Sequence, residues 1–179
     1  MNNPEVIYSG KWIEVVKEGH WEYVRRTKSV QAACITALTK NQELVLIEEY
    51  RVPVKSKIIE LPAGLVGDEI AGEDPAVAAS RELMEETGFV STDVVRACGG
   101  PTSAGLSNEM LTYILAFGAE KKGEGGGLEG EDITTRVVPL SEVESWLYEQ
   151  EQSGVIVSPR IYVGLYWLNR ILMERGRGV

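Results

Sequence analysis

This sequence predicts a layered domain of the α/β (α+β) class, with helices on both sides of a mixed sheet. Three observations predict it. The first third of the chain breaks into short apolar or alternating runs that end at turn residues, which is strand patterning. Residues 75–87 and about 159–175 carry helix-start residues in front and a glycine behind. Strand runs and helices are interspersed along the chain, so one sheet covered on both faces is the expected packing. A length of 179 residues with 44% apolar composition suffices for one domain with a substantial core.

The elements follow in order. Residues 6–9, 11–18 and 20–26 read as short strands, with Glu18-Gly19 as a turn between the last two. Residues 30–39 and 43–50 form a hairpin around Lys40-Asn41-Gln42. Residues 51–57 are a loop broken by Pro53, and 58–61 a strand closed by Pro62-Ala63-Gly64. A loop leads to the helix 75–87, with Asp74 as N-cap, Pro75 as its first residue and Gly88 just past its end. Strands follow at 94–99 and 110–119. Residues 120–132, EKKGEGGGLEGED, are a mobile glycine-rich loop. After a strand at 134–139, Ser141 and Glu144 have capping-box spacing and open a helix to about Gln152. A C-terminal helix begins near Pro159 and ends before Gly176.

On the helix 75–87, Glu82, Glu85 and Glu86 fall at i, i+3 and i+4, on one face. Like charges at that spacing destabilise a helix. A hard divalent cation offsets them, since Mg²⁺ prefers carboxylate oxygens and keeps water sites for a phosphate-bearing substrate. A glutamate-rich face is also common on plain surface helices. The capping residues, the small inner side of Ala76, Val77, Ala78, Ala79 and Leu83, and Arg81 as an anchor for a glutamate shift the reading towards a metal platform.

The net charge of −9 argues against a nucleic-acid backbone as the main partner. An acidic chain acting on a polyphosphate needs a cation to screen the approach. Cys34 and Cys98 lie in mostly apolar stretches and give no disulfide framework. The N-terminus lacks a basic region followed by an apolar one, and no apolar run reaches membrane-spanning length. A cytoplasmic protein without a membrane partner is the expectation.

The segment 67–89, GDEIAGEDPAVAASRELMEETGF, resembles the Nudix hydrolase box, G-x5-E-x7-R-E-U-x-E-E-x-G-U, with U a bulky apolar residue. Gly67, Glu73, Arg81, Glu82, Leu83, Glu85, Glu86, Gly88 and Phe89 fill its fixed or restricted positions. The resemblance implies an α/β/α sandwich over residues 1–179, with 1–28 as N-terminal strands used in a homodimer and 29–179 as the catalytic core. It also implies Mg²⁺-dependent (or Mn²⁺-dependent) hydrolysis of a nucleoside diphosphate linked to another moiety.

Further segments are similar to the ADP-ribose and nucleoside-diphosphate-sugar pyrophosphatase branch: ELPAG at 60–64, WEYVRR at 21–26, EYRVP at 49–53 and EGEDI at 129–133. The chain departs from that branch in two places. The branch normally begins its box at the glycine equivalent to Gly64, and it carries Ser-Pro-Gly where this chain has Ser103-Ala104-Gly105. ADP-ribose, ADP-glucose, UDP-glucose and GDP-mannose all stay open.

By this resemblance Glu82, Glu85, Glu86 and the Ala63 carbonyl hold the metal, and Arg51 binds phosphate through its planar fork unless it serves a structural salt bridge. Glu131, then Glu129, is the candidate base, with the box glutamates as the alternative and an exposed acidic linker as the plain reading. Arg81 supports the catalytic set, and Glu73 serves either that set or the loop or helix start. Trp21 stacks on the base or packs in a core or dimer, Glu22 accepts from an exocyclic amino group, and Glu109 adds a polar contact near the metals. His20, the single histidine, is expected to be exposed. Competing readings are a non-catalytic nucleotide-sugar sensor and a pyrophosphatase for another nucleotide class.

Overall fold

The computed structural model describes residues 3–28, 31–67, 70–127 and 130–176. β1 (Glu5–Ser9), β2 (Ile13–Glu18) and β3 (Trp21–Arg26) form a small antiparallel sheet in that order. A second sheet contains β4 (Gln31–Thr39), β5 (Glu43–Arg51), β6 (Ser56–Glu60), β7 (Ala63–Leu65), β8 (Phe89–Val90), β9 (Asp93–Pro101), β10 (Met110–Lys121), β11 (Ile133–Pro139) and β12 (Ile156–Val157). Its main path is β12-β6-β5-β4-β10-β8, with β11 added on β5, β7 on β4 and β9 on β10. The β4–β10 and β12–β6 pairs are parallel, so the sheet is mixed.

Alternation along β4 builds the sandwich. Ala33, Ile35 and Ala37 pack with Ala78, Ala79 and Leu83 of α1 (Pro75–Thr87). Cys34 and Leu38 belong to the other cluster, with Leu147 of α2 (Val143–Gln152) and Leu165 and Leu168 of α3 (Arg160–Glu174). Both faces of the sheet are therefore covered, as the α/β/α expectation requires. The small sheet meets the rest where the Val24 N–H donates to the Leu106 carbonyl at 2.8 Å.

Local signals set α1 as predicted. Asp74 is extended and its Oδ1 accepts from the Ala76 N–H at 2.8 Å. Gly88 is left-handed at φ 72°, and its N–H closes on the Met84 carbonyl. A Cβ at Gly88 would also overlap the Gly123 carbonyl. Gly88→Ala is thus both strained and blocked by backbone, and a loss of roughly 2–4 kcal/mol is expected in urea unfolding. A loss below about 0.5 kcal/mol, the ordinary surface range, would show that this turn is not the constraint described.

Three expectations need correction. Ser141 and Glu144 form no capping box: Glu142 occupies the N-cap position without a side-chain bond, and α2 starts at Val143. Burial of Val143 and Leu147 sets that start instead. Residues 51–57 are not all loop, since a short 3-10 turn at Val52–Val54 is followed directly by β6. The glycine-rich segment is not simply a mobile loop. Its N-terminal part docks on the end of α1, where the Gly126 and Gly127 N–H groups donate to the Glu86 and Glu85 carbonyls at 2.8 and 3.0 Å. Those carbonyls lie in the last turn, where a helix has no donors of its own to offer.

Candidate active site

α1, β5, β7 and the segment before β11 converge on one cavity of about 230 Å³. α1 supplies Arg81, Glu82, Glu85 and Glu86; β5 supplies Glu49 and Arg51. β7 contributes the backbone of Ala63 and Gly64, and Glu131 closes the set. Helical spacing turns the three box glutamates to one side, and strand alternation turns Glu49 and Arg51 the same way.

Arg81 organises the rim. Its Nη1 donates to Glu82 Oε1 at 2.8 Å and to Glu85 Oε2 at 3.1 Å, and its Nη2 to the Leu65 carbonyl at 3.4 Å. Behind it, Glu73 is only 2% exposed, pairs with Arg81 Nε at 3.5 Å and accepts from the Gly67 N–H at 3.2 Å. Glu73 therefore ties down the loop at Gly67 and stands behind Arg81. Burial works against the Arg81 charge, yet the surrounding Glu82, Glu73 and Glu85 hold it more firmly protonated than usual.

Glu86 is the deepest of the three, at 6% exposure. Burial pushes its carboxyl up to about 8; the Ala63 N–H, donating at 3.1 Å, opposes this, while Glu82 and Glu49 add repulsion and Arg51 relieves part of it. Glu49 is raised as well, by burial first, with Glu60 and Glu131 adding to it against Arg51. Gly64 permits this packing, since a Cβ there would overlap the Glu82 carboxylate.

The cavity holds five carboxylates, of Glu49, Glu82, Glu85, Glu86 and Glu131, against the two guanidiniums of Arg51 and Arg81. A buried carboxylate held near pH 8 among like charges is what a hard divalent cation would relieve. The donor set is all oxygen and fits such an ion. Among the described residues no three side chains are gathered as a finished ligand cage. Arg81 holds Glu82 and Glu85 while the Ala63 N–H holds Glu86.

Arg51 lies in the cavity wall and is salt-bridged, to Glu60 at 2.6 Å and Glu49 at 2.9 Å. Glu49 and Glu60 are site residues that sequence reasoning missed. The signal for Glu49 was its i, i+2 spacing from Arg51 in a strand, and for Glu60 its place at the head of the ELPAG segment. Glu129 lies outside the described residues.

Trp21, Glu22 and Glu109 do not line the glutamate cavity. Trp21 is 54% exposed and borders a separate hollow of about 450 Å³ with Tyr23, Ser107 and Asn108. Glu22 alternates to the other face of β3 from Trp21, opposite Lys17. Glu109 accepts from Arg26 Nε at 2.6 Å and lines a neighbouring cleft with Arg51. His20 is exposed beside Trp21, as expected. Cys34 and Cys98 are free thiols. Among the described residues no helix is long and apolar enough to cross a membrane.

The NUDIX domain matches residues 28–157, which hold the whole cavity. The chain belongs to the Nudix family. This Nudix chain is 35% identical over 121 residues to a methanol dehydrogenase activator of Bacillus methanolicus, covering 68% of this chain and 63% of that one. It is 30% identical over 118 residues to an ADP-ribose pyrophosphatase of Bacillus subtilis, covering 63% and 62%. It thus spans a little under two thirds of the length of these curated relatives. The crystal structure of an ADP compounds hydrolase superposes with a TM-score of 0.73 at 22% identity, over 98% of this chain and 94% of that one, a likeness of fold.

Proposed function

We propose that this Nudix protein hydrolyses the diphosphate bond of nucleoside diphosphate sugars, giving a nucleoside monophosphate and a sugar phosphate. The observation that carries this reading is the convergence of the box glutamates, Arg51 and Glu131 in one cavity. Similarity to an ADP-ribose pyrophosphatase supports the substrate class. Glu82, Glu85 and Glu86 would hold Mg²⁺, or Mn²⁺ in its place, with the Ala63 carbonyl as a further ligand. When bound, the ion neutralises the diphosphate and polarises the attacked phosphorus.

The chain's own groups do the rest. Arg51 has five N–H donors, and two of its nitrogens face Glu49 and Glu60, so the guanidinium has donors left for a phosphate oxygen. Glu131 takes the proton from the attacking water, with Glu129 or a box glutamate as the alternative. Arg81 keeps Glu82 and Glu85 aimed across the rim. Glu131→Gln is expected to lower kcat by roughly 10²–10⁴-fold with little change in KM. A kcat within threefold of the parent would move the base to another carboxylate.

The reading includes a homodimer built on the small sheet, and a cytoplasmic location in keeping with two free thiols. Val6, Ile7, Tyr8, Trp12 and Ile13 are exposed together at that sheet. Trp21 lies apart from the glutamate cavity of its own chain, so its stacking role needs the site of a partner chain. Sedimentation velocity should give twice the chain mass, and Tyr8→Glu with Trp12→Glu should return it to one. A monomeric parent at micromolar concentration would remove this part of the reading.

A panel of ADP-ribose, ADP-glucose, UDP-glucose and GDP-mannose with Mg²⁺, products resolved by anion exchange, tests the function. Release of nucleoside monophosphate from at least one member is expected. Binding without any product would favour the sensor reading instead.

A further inference from the structure

A second cleft of about 520 Å³ adjoins the glutamate cavity and shares Arg51, Ala63 and Gly64 with it. Its charged lining is Arg26, Arg51, Arg160, Glu60 and Glu109, three guanidiniums against two carboxylates. Two of the three cations are neutralised in place. Arg26 is bound by Glu109 at 2.6 Å, and Arg51 by Glu60 at 2.6 Å. Arg160 is half-buried, and among the described residues no carboxylate pairs with it. The groups felt through its charge are Cys34 and Tyr113, both pushed up to about 12 by burial and so neutral at pH 7. In a chain of net charge −9, an arginine in a cleft with no carboxylate partner among the described residues is unusual.

Position adds to this. Arg51 also lines the glutamate cavity and marks the near end of the cleft. Arg160 is absent from that cavity and is shared instead with a hollow formed by Cys98, Thr102 and Tyr113, so it marks the far end. Its backbone is rigidly placed. It is the first residue of α3, which is locked by buried Ile161 and Leu165 and approached through the β12–β6 pair.

We propose that this cleft is the subsite for the sugar half of the substrate and that Arg160 selects a sugar bearing its own anionic group, a carboxylate or a phosphate. The inference rests on the diphosphate-hydrolase reading above, which puts the diphosphate at the glutamates and leaves the sugar to extend past Arg51. A planar fork at the far end fits a bidentate oxyanion and gains most where water is thinned out. A neutral sugar leaves the guanidinium unmatched.

The test uses two matched pairs, UDP-glucose against UDP-glucuronate and ADP-ribose against ADP-ribose 1″-phosphate, with the parent, Arg160→Met and Arg160→Lys. kcat/KM is measured with Mg²⁺, and Kd by equilibrium binding with Ca²⁺ replacing Mg²⁺. The charged member of at least one pair should be favoured by about tenfold or more in both measurements. The carboxylate and phosphate pairs separate the two sources of charge. Arg160→Met should bring the ratio towards one, and Arg160→Lys should keep part of it. Equal handling of both members by the parent, or a ratio unmoved in Arg160→Met, overturns the subsite while the hydrolase reading stands. Selective binding of the charged member without product upholds the subsite and removes the hydrolase reading.

Discussion

Glu86→Gln should abolish most turnover and yet make the metal-free protein more stable. The two effects share one cause. The Glu86 carboxyl stands at about 8 in the folded chain against an ordinary 4.5, chiefly through burial. The folded state therefore holds this proton more tightly than the unfolded one. Below about pH 4.5 both states are protonated and the parent carries no penalty. Between 4.5 and 8 each pH unit removes about 1.4 kcal/mol of its stability, and above 8 the loss is complete. Glutamine does not titrate and can still accept from the Ala63 N–H. In EDTA the variant should match the parent near pH 4.5 and exceed it by a few kcal/mol at pH 8.5. Excess Mg²⁺ should reverse that order, because the ion stabilises only the chain that binds it. Turnover should fall by about a hundredfold or more, the usual scale for removing one electrostatic element around a transferring phosphoryl group. Thermal melts at the two pH values, with and without Mg²⁺, read the first effect and product release the second. A variant less stable than the parent in EDTA at pH 8.5 would contradict the account of Glu86 as a buried charge awaiting a cation.

Arg81→Met should be the most damaging single change for fold and activity together. Arg81 holds Glu82 and Glu85 at the rim and faces Glu73, which is almost fully buried, from behind. Without it, the Gly67 N–H is the partner left to Glu73 among the described residues. Removing one member of a buried ion cluster costs about 3–5 kcal/mol, most of it from the charges left behind. The 20% exposure of Arg81 favours the lower end. Urea unfolding at pH 8 should show the loss. Arg81→Lys keeps the charge but not the fork. It should recover most of the stability and little of the turnover, since Glu82 and Glu85 are then no longer held by one planar donor set. Full activity in Arg81→Lys would show that the charge alone suffices.

What the sequence made legible was local. Asp74, Pro75 and Gly88 act within one turn of α1, so its ends were readable from neighbours in the chain. The box glutamates were readable for the same reason, since helical spacing alone puts them on one side. Long-range decisions were not. β7, β8 and β12 are two or three residues long and exist because β4, β10 and β6 pair with them. The start of α2 looked like a capping box at Ser141, but burial of Val143 outweighed a single capping bond. The glycine-rich stretch 123–127 read as slack chain, whereas the last turn of α1 takes up the Gly126 and Gly127 N–H groups. At the site, Glu60 gained its place only when β6 came beside β5 and met Arg51. Arg160 carried no signal in the sequence, and only the fold brings it into the cleft holding Arg26 and Arg51.

The central claim is that the box glutamates form a divalent-cation site on which diphosphate hydrolysis depends. Its most direct test is AMP release from ADP-ribose by the parent and by a chain carrying Glu82→Gln, Glu85→Gln and Glu86→Gln, each in EDTA and then in excess Mg²⁺. No AMP is expected in EDTA, with steady release by the parent once Mg²⁺ is restored and none by the triple variant in either condition. Equal release by the parent in EDTA and in Mg²⁺, or by the triple variant and the parent, would contradict it.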